Sequence, residues 1–290
     1  MKEVIKTLGK PTEFITYLNS KKINFTVRKT SSTSIVEWED NKYLFVHHTD
    51  SFLVSKGEMI LQRRLKKEVL KNTEDKVFEV EYESDYFDYD SHLNYMTETI
   101  GEIIELDNVI EMDITKAYYQ VAKNYGFIGE EFYQETLELE KYIRLRLLGS
   151  IATKKDIEKY KNGYLYETSQ TFDIKLRNIW FKVVKKVDNI MKEVAKAIQG
   201  NFVFYWVDGI YFSKNLDDKY MLDPCIQIIS EIFKKNNLKY SITYLDKIVI
   251  TNLDEYLGME VYINKKLKSQ FALPYRDVKK YVCFKEDLKL

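Results

Sequence analysis

Eleven consecutive residues, Phe202-Val203-Phe204-Tyr205-Trp206-Val207-Asp208-Gly209-Ile210-Tyr211-Phe212, are apolar or aromatic except for one Asp-Gly pair. Few structures accept such a run. Its β-branched and aromatic residues favour strands, and Asp-Gly between apolar runs is the strongest short turn signal, so a buried hairpin is expected. A second apolar strand, 108–113, ends on Asp113 and leads through Ile114-Thr115-Lys116-Ala117-Tyr118-Tyr119 into a helix that ends near Gly126. Taken singly, Asp113 reads as a helix N-cap and Asp208 as a turn residue. Taken together, they read as carboxylates at the ends of neighbouring strands. Hard oxygen ligands in that arrangement suit Mg²⁺ bound together with substrate phosphates.

The elements around these strands narrow the fold class. Residues 174–199 carry an apolar stripe (Leu176, Ile179, Trp180, Val183, Val187, Ile190, Met191, Val194, Ile198) at spacings of three and four, which predicts a long amphipathic helix. Asp173 is placed to cap its start and Gly200 to close it as a C′ glycine. A helix over 218–236 follows, with Ile226, Ile229, Ile232 and Phe233 on one face. Two strands, 238–244 and 247–251, are expected to turn at Leu245-Asp246. From residue 108 the order predicts an α+β unit, an antiparallel sheet backed by two helices. Before it, 10–20 reads as a helix, 23–28, 34–39 and 42–47 as strands with a turn at Glu39-Asp40-Asn41, and 58–71 as a basic amphipathic helix. Between 113 and 174 the sequence predicts a charged helical segment over 130–148, then a loop and a small hairpin. The expected division is an N-terminal α+β region over 1–107, a candidate nucleic-acid binder, a main unit over 108–255 with an insertion at about 127–173, and a C-terminal extension over 256–290.

Composition removes several function classes. With 23 Tyr and 16 Phe the chain can build a core, so global disorder is excluded. Cys225 and Cys283 with His47, His48 and His92 form no zinc-type spacing and no disulfide framework, which points to a reducing cytoplasm. No apolar run reaches the roughly 18 residues of a membrane span, so no membrane partner is expected. The net charge is zero but uneven: residues 73–113 hold 14 acidic residues and one Lys, leaving the rest of the chain basic. That asymmetry suits a chain that handles both metal and phosphate.

Asp113-Ile114-Thr115-Lys116-Ala117-Tyr118-Tyr119 resembles motif A of the family B DNA polymerases, Asp-x-x-Ser-Leu-Tyr-Pro. Trp206-Val207-Asp208-Gly209-Ile210-Tyr211-Phe212 resembles their motif C, Asp-Thr-Asp-Ser-Ile-Tyr-Phe, with Trp206 in place of the first aspartate and Asp208 in place of the second, the metal ligand. Arg144-Leu145-Arg146-Leu147-Leu148-Gly149-Ser150-Ile151-Ala152-Thr153-Lys154 resembles a degraded motif B, Lys-x-x-x-Asn-Ser-x-Tyr-Gly-Lys, in which Ser150 and Lys154 match and Gly149, Ala152 and Thr153 depart. The resemblance covers about 108–250 and no Asp-x-Glu exonuclease motif precedes it. It implies a minimal, viral or plasmid type of polymerase palm with small helical fingers and a thumb remnant.

The same resemblance implies the site residues. Asp113, Asp208 and the Ile114 carbonyl are expected to hold two Mg²⁺ or Mn²⁺ ions. Lys116, Tyr118, Arg144, Arg146 and Lys154 are expected to contact the nucleotide, Tyr118 beneath its sugar. Arg63, Arg64 and Lys67 of the basic helix and Lys247 are expected on the nucleic-acid backbone. The implied activity is dNTP addition to a primer end. The implied partners are a primer–template DNA and a replication protein for processivity, in the bacterial host cytoplasm for a viral protein. Three alternatives stand beside it: a non-catalytic palm-derived nucleic-acid-binding or assembly protein, a primase-type enzyme, and a metal-dependent nuclease.

Overall fold

The computed structural model describes residues 4–8, 10–30, 33–39, 41–46, 56–76, 91–93, 102–153, 155–213, 223–252 and 256–274. The acidic, tyrosine-rich stretch 77–90, Lys154, Cys283 and the expected start of a helix at 218–222 lie outside them. The chain divides into two compact units, each built from two stretches: Met1–Tyr82 with Phe127–Phe181, and Glu83–Gly126 with Lys182–Leu290. The expected boundary at 107 instead falls inside a strand.

The first unit opens with β1 (Val4–Leu8), α1 (Thr12–Ser20), β2 (Phe25–Lys29), β3 (Thr33–Trp38), β4 (Asn41–Val46) and α2 (Lys56–Asn72). The chain then contributes β5 (Ser91–Leu93), β6 (Ile103–Ile114) and α3 (Ala117–Asn124) to the second unit. It returns with α4 (Glu130–Leu137), α5 (Lys141–Gly149), a 3₁₀ turn at Ser150–Ala152 and the hairpin β7 (Lys155–Lys161) and β8 (Tyr164–Thr171). The helix α6 (Ile174–Ala197) carries the chain across the division. The second unit ends with β9 (Phe202–Trp206), β10 (Gly209–Phe212), α7 (Asp223–Lys235), β11 (Tyr240–Asn252), β12 (Tyr256–Ile263) and β13 (Lys266–Pro274).

In the first unit the sheet order is β1-β4-β3-β2-β7-β8, antiparallel except for β1 with β4. The segment expected as a fingers insertion therefore completes the N-terminal sheet. Phe25 and Val27 of β2 point into the core between Thr26 and the exposed Arg28, the period of two that one buried face demands. Phe25 stacks on Tyr160 across the β2–β7 pairing, ring centroids 4.4 Å apart. Gly163 makes the β7–β8 turn possible: its φ is +86°, and a Cβ there would lie 2.6 Å from the Asn19 carbonyl oxygen. Leu65 and Val69 of α2, Phe132 and Tyr133 of α4, and Leu147 and Leu148 of α5 are all buried, and α2 packs against α5.

The second unit holds a wholly antiparallel sheet in the order β13-β12-β11-β6-β10-β9-β5. The predicted stripe of α6 is buried throughout except for Trp180, which is half-buried. Asp173 Oδ1 accepts the Leu176 amide at 2.9 Å, the predicted cap. Gly200 does not act as a left-handed C′ residue; the turn after α6 is closed by the Asn201 amide on the Ile198 carbonyl at 2.8 Å. Gly126, with φ +70°, is the left-handed glycine beyond α3. Leu245-Asp246 is not a turn either. β11 runs unbroken through both, because β6 pairs with it from Tyr240 to Thr251, on either side of Asp246. Residues 256–274, expected as an extension, are two more strands of this sheet. The fold is α+β.

Candidate active site

β6 is the central strand, with β10 on one side and β11 on the other. Its last two residues carry the geometry of the candidate site. Asp113 lies directly opposite Gly209, the residue after Asp208, and the Ile114 amide donates to the Asp208 carbonyl at 2.9 Å. In an antiparallel ladder the N–H and C=O of one residue point to the same neighbour, so the Ile114 carbonyl also faces the Asp208 side. A Cβ added to Gly209 would sit 3.3 Å from Asp113 Oδ1, so the absence of a side chain there leaves the carboxylate its room. Asp113 and Asp208 are both half-buried, within reach of a substrate and partly withdrawn from water.

The hairpin turn falls one residue earlier than Asp-Gly predicts. Trp206 pairs with Gly209, and Val207-Asp208 form the two-residue loop. Val207 takes the left-handed conformation at φ +54°. A β-branched residue there costs about 1–3 kcal/mol and persists only where the surrounding structure holds it. The register explains the shift: the β10–β6 pairing starts at Gly209 opposite Asp113, so Gly209 is drawn into the ladder. Trp206 is half-buried against the core of Val203, Phe204, Tyr211 and Ile248, a packing role.

Lys116 precedes α3 and is also left-handed, at φ +54°. The clamp that holds this turn is Gln120, buried on α3. Its side-chain amide donates to the Thr115 carbonyl and, at 2.9 Å, to the Lys239 carbonyl, while its oxygen accepts the Lys239 amide at 2.7 Å. Gln120 has no sequence signal of its own, since a glutamine on a short helix ordinarily faces water. Lys116 and Tyr118 are half-buried, three and five residues after Asp113.

Behind the aspartates lies a polar cluster that sequence reasoning missed. Glu111 is only 9% exposed. Its Oε1 accepts the Tyr211 hydroxyl at 2.6 Å, and its Oε2 accepts Lys268 Nζ from β13. Tyr211 stands directly across from Glu111 and stacks on Phe204 at 4.2 Å. Burial, then the charge and hydrogen bond of Glu111, and then the charges of Asp113 and Asp208 push the Tyr211 hydroxyl far above its ordinary range, so it stays a donor. Lys268 lies more than 150 positions from Glu111, and no local pattern links them.

The remaining expected residues take other places. Arg144 and Arg146 belong to the first unit and make contacts inside it. Arg144 donates to the Leu139 carbonyl, and Arg146 pairs at 2.7 Å with Glu58, itself 4% exposed. Arg64 pairs with Glu135 at 2.9 Å, while Arg63 and Lys67 are exposed on α2. Lys247 meets Glu105 at 3.4 Å and lies over the Tyr262 ring. Among the described residues no three His, Cys, Asp or Glu side chains come together as a metal-holding group, so the candidate donor set is two carboxylates and a main-chain carbonyl. No helix among them is long and apolar enough to cross a membrane. No protein-family model matches this chain, and no curated protein matches it.

Proposed function

We propose that the chain is a nucleotidyltransferase of the family B DNA polymerase palm type, adding nucleotides to a primer end by two-metal catalysis. The observation that carries the reading is the pairing of Asp113 with Gly209, which brings the ends of the motif A-like and motif C-like segments side by side. The donor set fits hard divalent cations, since every candidate ligand is an oxygen. Asp113, Asp208 and the Ile114 carbonyl would hold the ions. Such ions, when bound, supply the charge that activates a primer 3′-hydroxyl and stabilises a leaving pyrophosphate. Lys116, three residues after Asp113, would offer a cation to the triphosphate. In this reading the ring of Tyr118, five residues after Asp113, would underlie the sugar and disfavour a ribose 2′-hydroxyl. Arg144 and Arg146 already serve contacts within the first unit, so nucleotide contacts in this reading rest on Lys116 and Tyr118.

The test is a labelled primer–template incubated with Mg²⁺ or Mn²⁺ and dNTPs or rNTPs. Extension by the wild type is expected. Asp113→Asn and Asp208→Asn should each lose at least about a thousandfold in rate, ~4 kcal/mol of barrier. Their melting temperature without metal should hold or rise, because each change removes one of two negative charges at neighbouring strand ends. Binding without extension would replace the reading with a non-catalytic nucleic-acid-binding protein. Shortening of the primer would replace it with a nuclease, and preferred use of rNTPs with a primase.

A further inference from the structure

We propose that the Lys268–Glu111 ion pair sets how tightly the Asp113–Asp208 pair holds a divalent cation, with both residues as positioning residues and neither as a ligand. The inference rests on the two-metal reading. Glu111 is a buried carboxylate, which needs a counter-charge or full hydrogen bonding to remain ionised. It has both, and both of its oxygens are engaged, one by Tyr211 and one by Lys268. It therefore turns towards β13 and is not part of any three-carboxylate group.

Its charge nonetheless acts on the aspartates. Glu111 and Asp113 share one face of β6, two residues and about 7 Å apart along the strand. Tyr211 links them: its hydroxyl is on Glu111, while its ring edge and Asp113 Oδ1 both lie within 4 Å of the same point beside Gly209, at 3.8 and 3.3 Å. At such separations, in a partly water-excluded setting, a unit charge is strongly felt. In the wild type the Lys268 cation cancels Glu111, so the local negative charge belongs to Asp113 and Asp208. Removing either end unbalances the site, in opposite directions.

The measurement is a Mn²⁺ titration of the full chain, with free Mn²⁺ followed by electron paramagnetic resonance and thermal stability recorded beside it. Glu111→Gln leaves an uncancelled Lys268 cation and should weaken Mn²⁺ binding by about fivefold or more; Lys268→Met leaves an uncancelled carboxylate and should tighten it by a similar factor. The double variant is neutral again and should return to within about twofold of the wild type. If Lys268→Met fails to fold, Glu111→Gln against the double variant carries the same sign test. Unchanged affinities, or single variants that move in the same direction, would overturn the inference, leaving the pair a purely structural contact. A wild type with no Mn²⁺ site that Asp113→Asn removes would overturn the two-metal reading itself.

Discussion

The two sheets of this protein put their charges in opposite places. The first unit's sheet keeps them in water: Arg28 and Lys42 flank Glu37, Lys159 meets Glu167, and β8 is exposed at every position. The second unit's sheet places charge at its centre. Glu111 and Asp113 lie on the middle strand, and Tyr205 of β9 donates to the buried Asp188 of α6 at 2.7 Å. Carboxylates on a central strand must be paired at a desolvation cost, whereas charge at the rim stays hydrated. In the proposed function that central charge is where the second sheet would do its chemistry.

A buried pair between two helices of the first unit departs from that pattern and gives the largest expected effect on stability. Glu58 and Arg146 form a pair with little exposure. Arg146→Met should strand the Glu58 carboxylate and destabilise the protein by about 3 kcal/mol, with much of the loss recovered by adding Glu58→Gln. A variant that melts like the wild type in a denaturant series would move this pair to the rim class. A buried polar contact of the second unit should cost less. Tyr205→Phe removes the hydroxyl on Asp188, which keeps Lys192 at 2.7 Å, and about 1–2 kcal/mol should be lost. No loss would show that the carboxylate is already satisfied by Lys192 and water.

Tyr118→Ala sharpens the functional side of the comparison. If the ring underlies the sugar as proposed, removing it should raise relative rNTP use about tenfold, worth roughly 1.4 kcal/mol in selectivity. Lost stability with an unchanged dNTP/rNTP ratio would return Tyr118 to the core. The smallest effect belongs to the rim. Lys159 is partly exposed on β7, and the Glu167 hydrogen bond and charge raise its pKa. Lys159→Ala should leave the melting temperature unchanged, since an exposed ion pair gains little over hydration. A clear drop would mean that charge on the first sheet is structural after all.

Much of the second unit is legible in its residues. The stripe of α6, its Asp173 cap and the two apolar strands follow from periodicity, because a one-sided core imposes 3.6 on a helix and 2 on a strand. The reading of Leu245-Asp246 as a turn failed for a related reason. Local polarity suggested a break, but the long pairing with β6 keeps the strand extended through an exposed Asp246. The turn at Asp208 moved by one residue because cross-strand pairing with Asp113 outranked the local preference of Asp-Gly. The β7–β8 hairpin was visible as a hairpin, but its sheet was not. Nothing in 155–171 names β2 as its partner.

The amino-acid sequence alone determined the main helices and the two apolar strands near Asp113 and Asp208, since those properties depend on neighbours a few positions away. The tertiary structure alone decided that Asp113 faces Gly209, that Gln120 ties the turn before α3 to Lys239, and that Lys268 reaches Glu111 across the second sheet. These contacts join residues 96, 119 and 157 positions apart along the chain. Side chains that far apart meet only through packing and strand register, which no local pattern encodes.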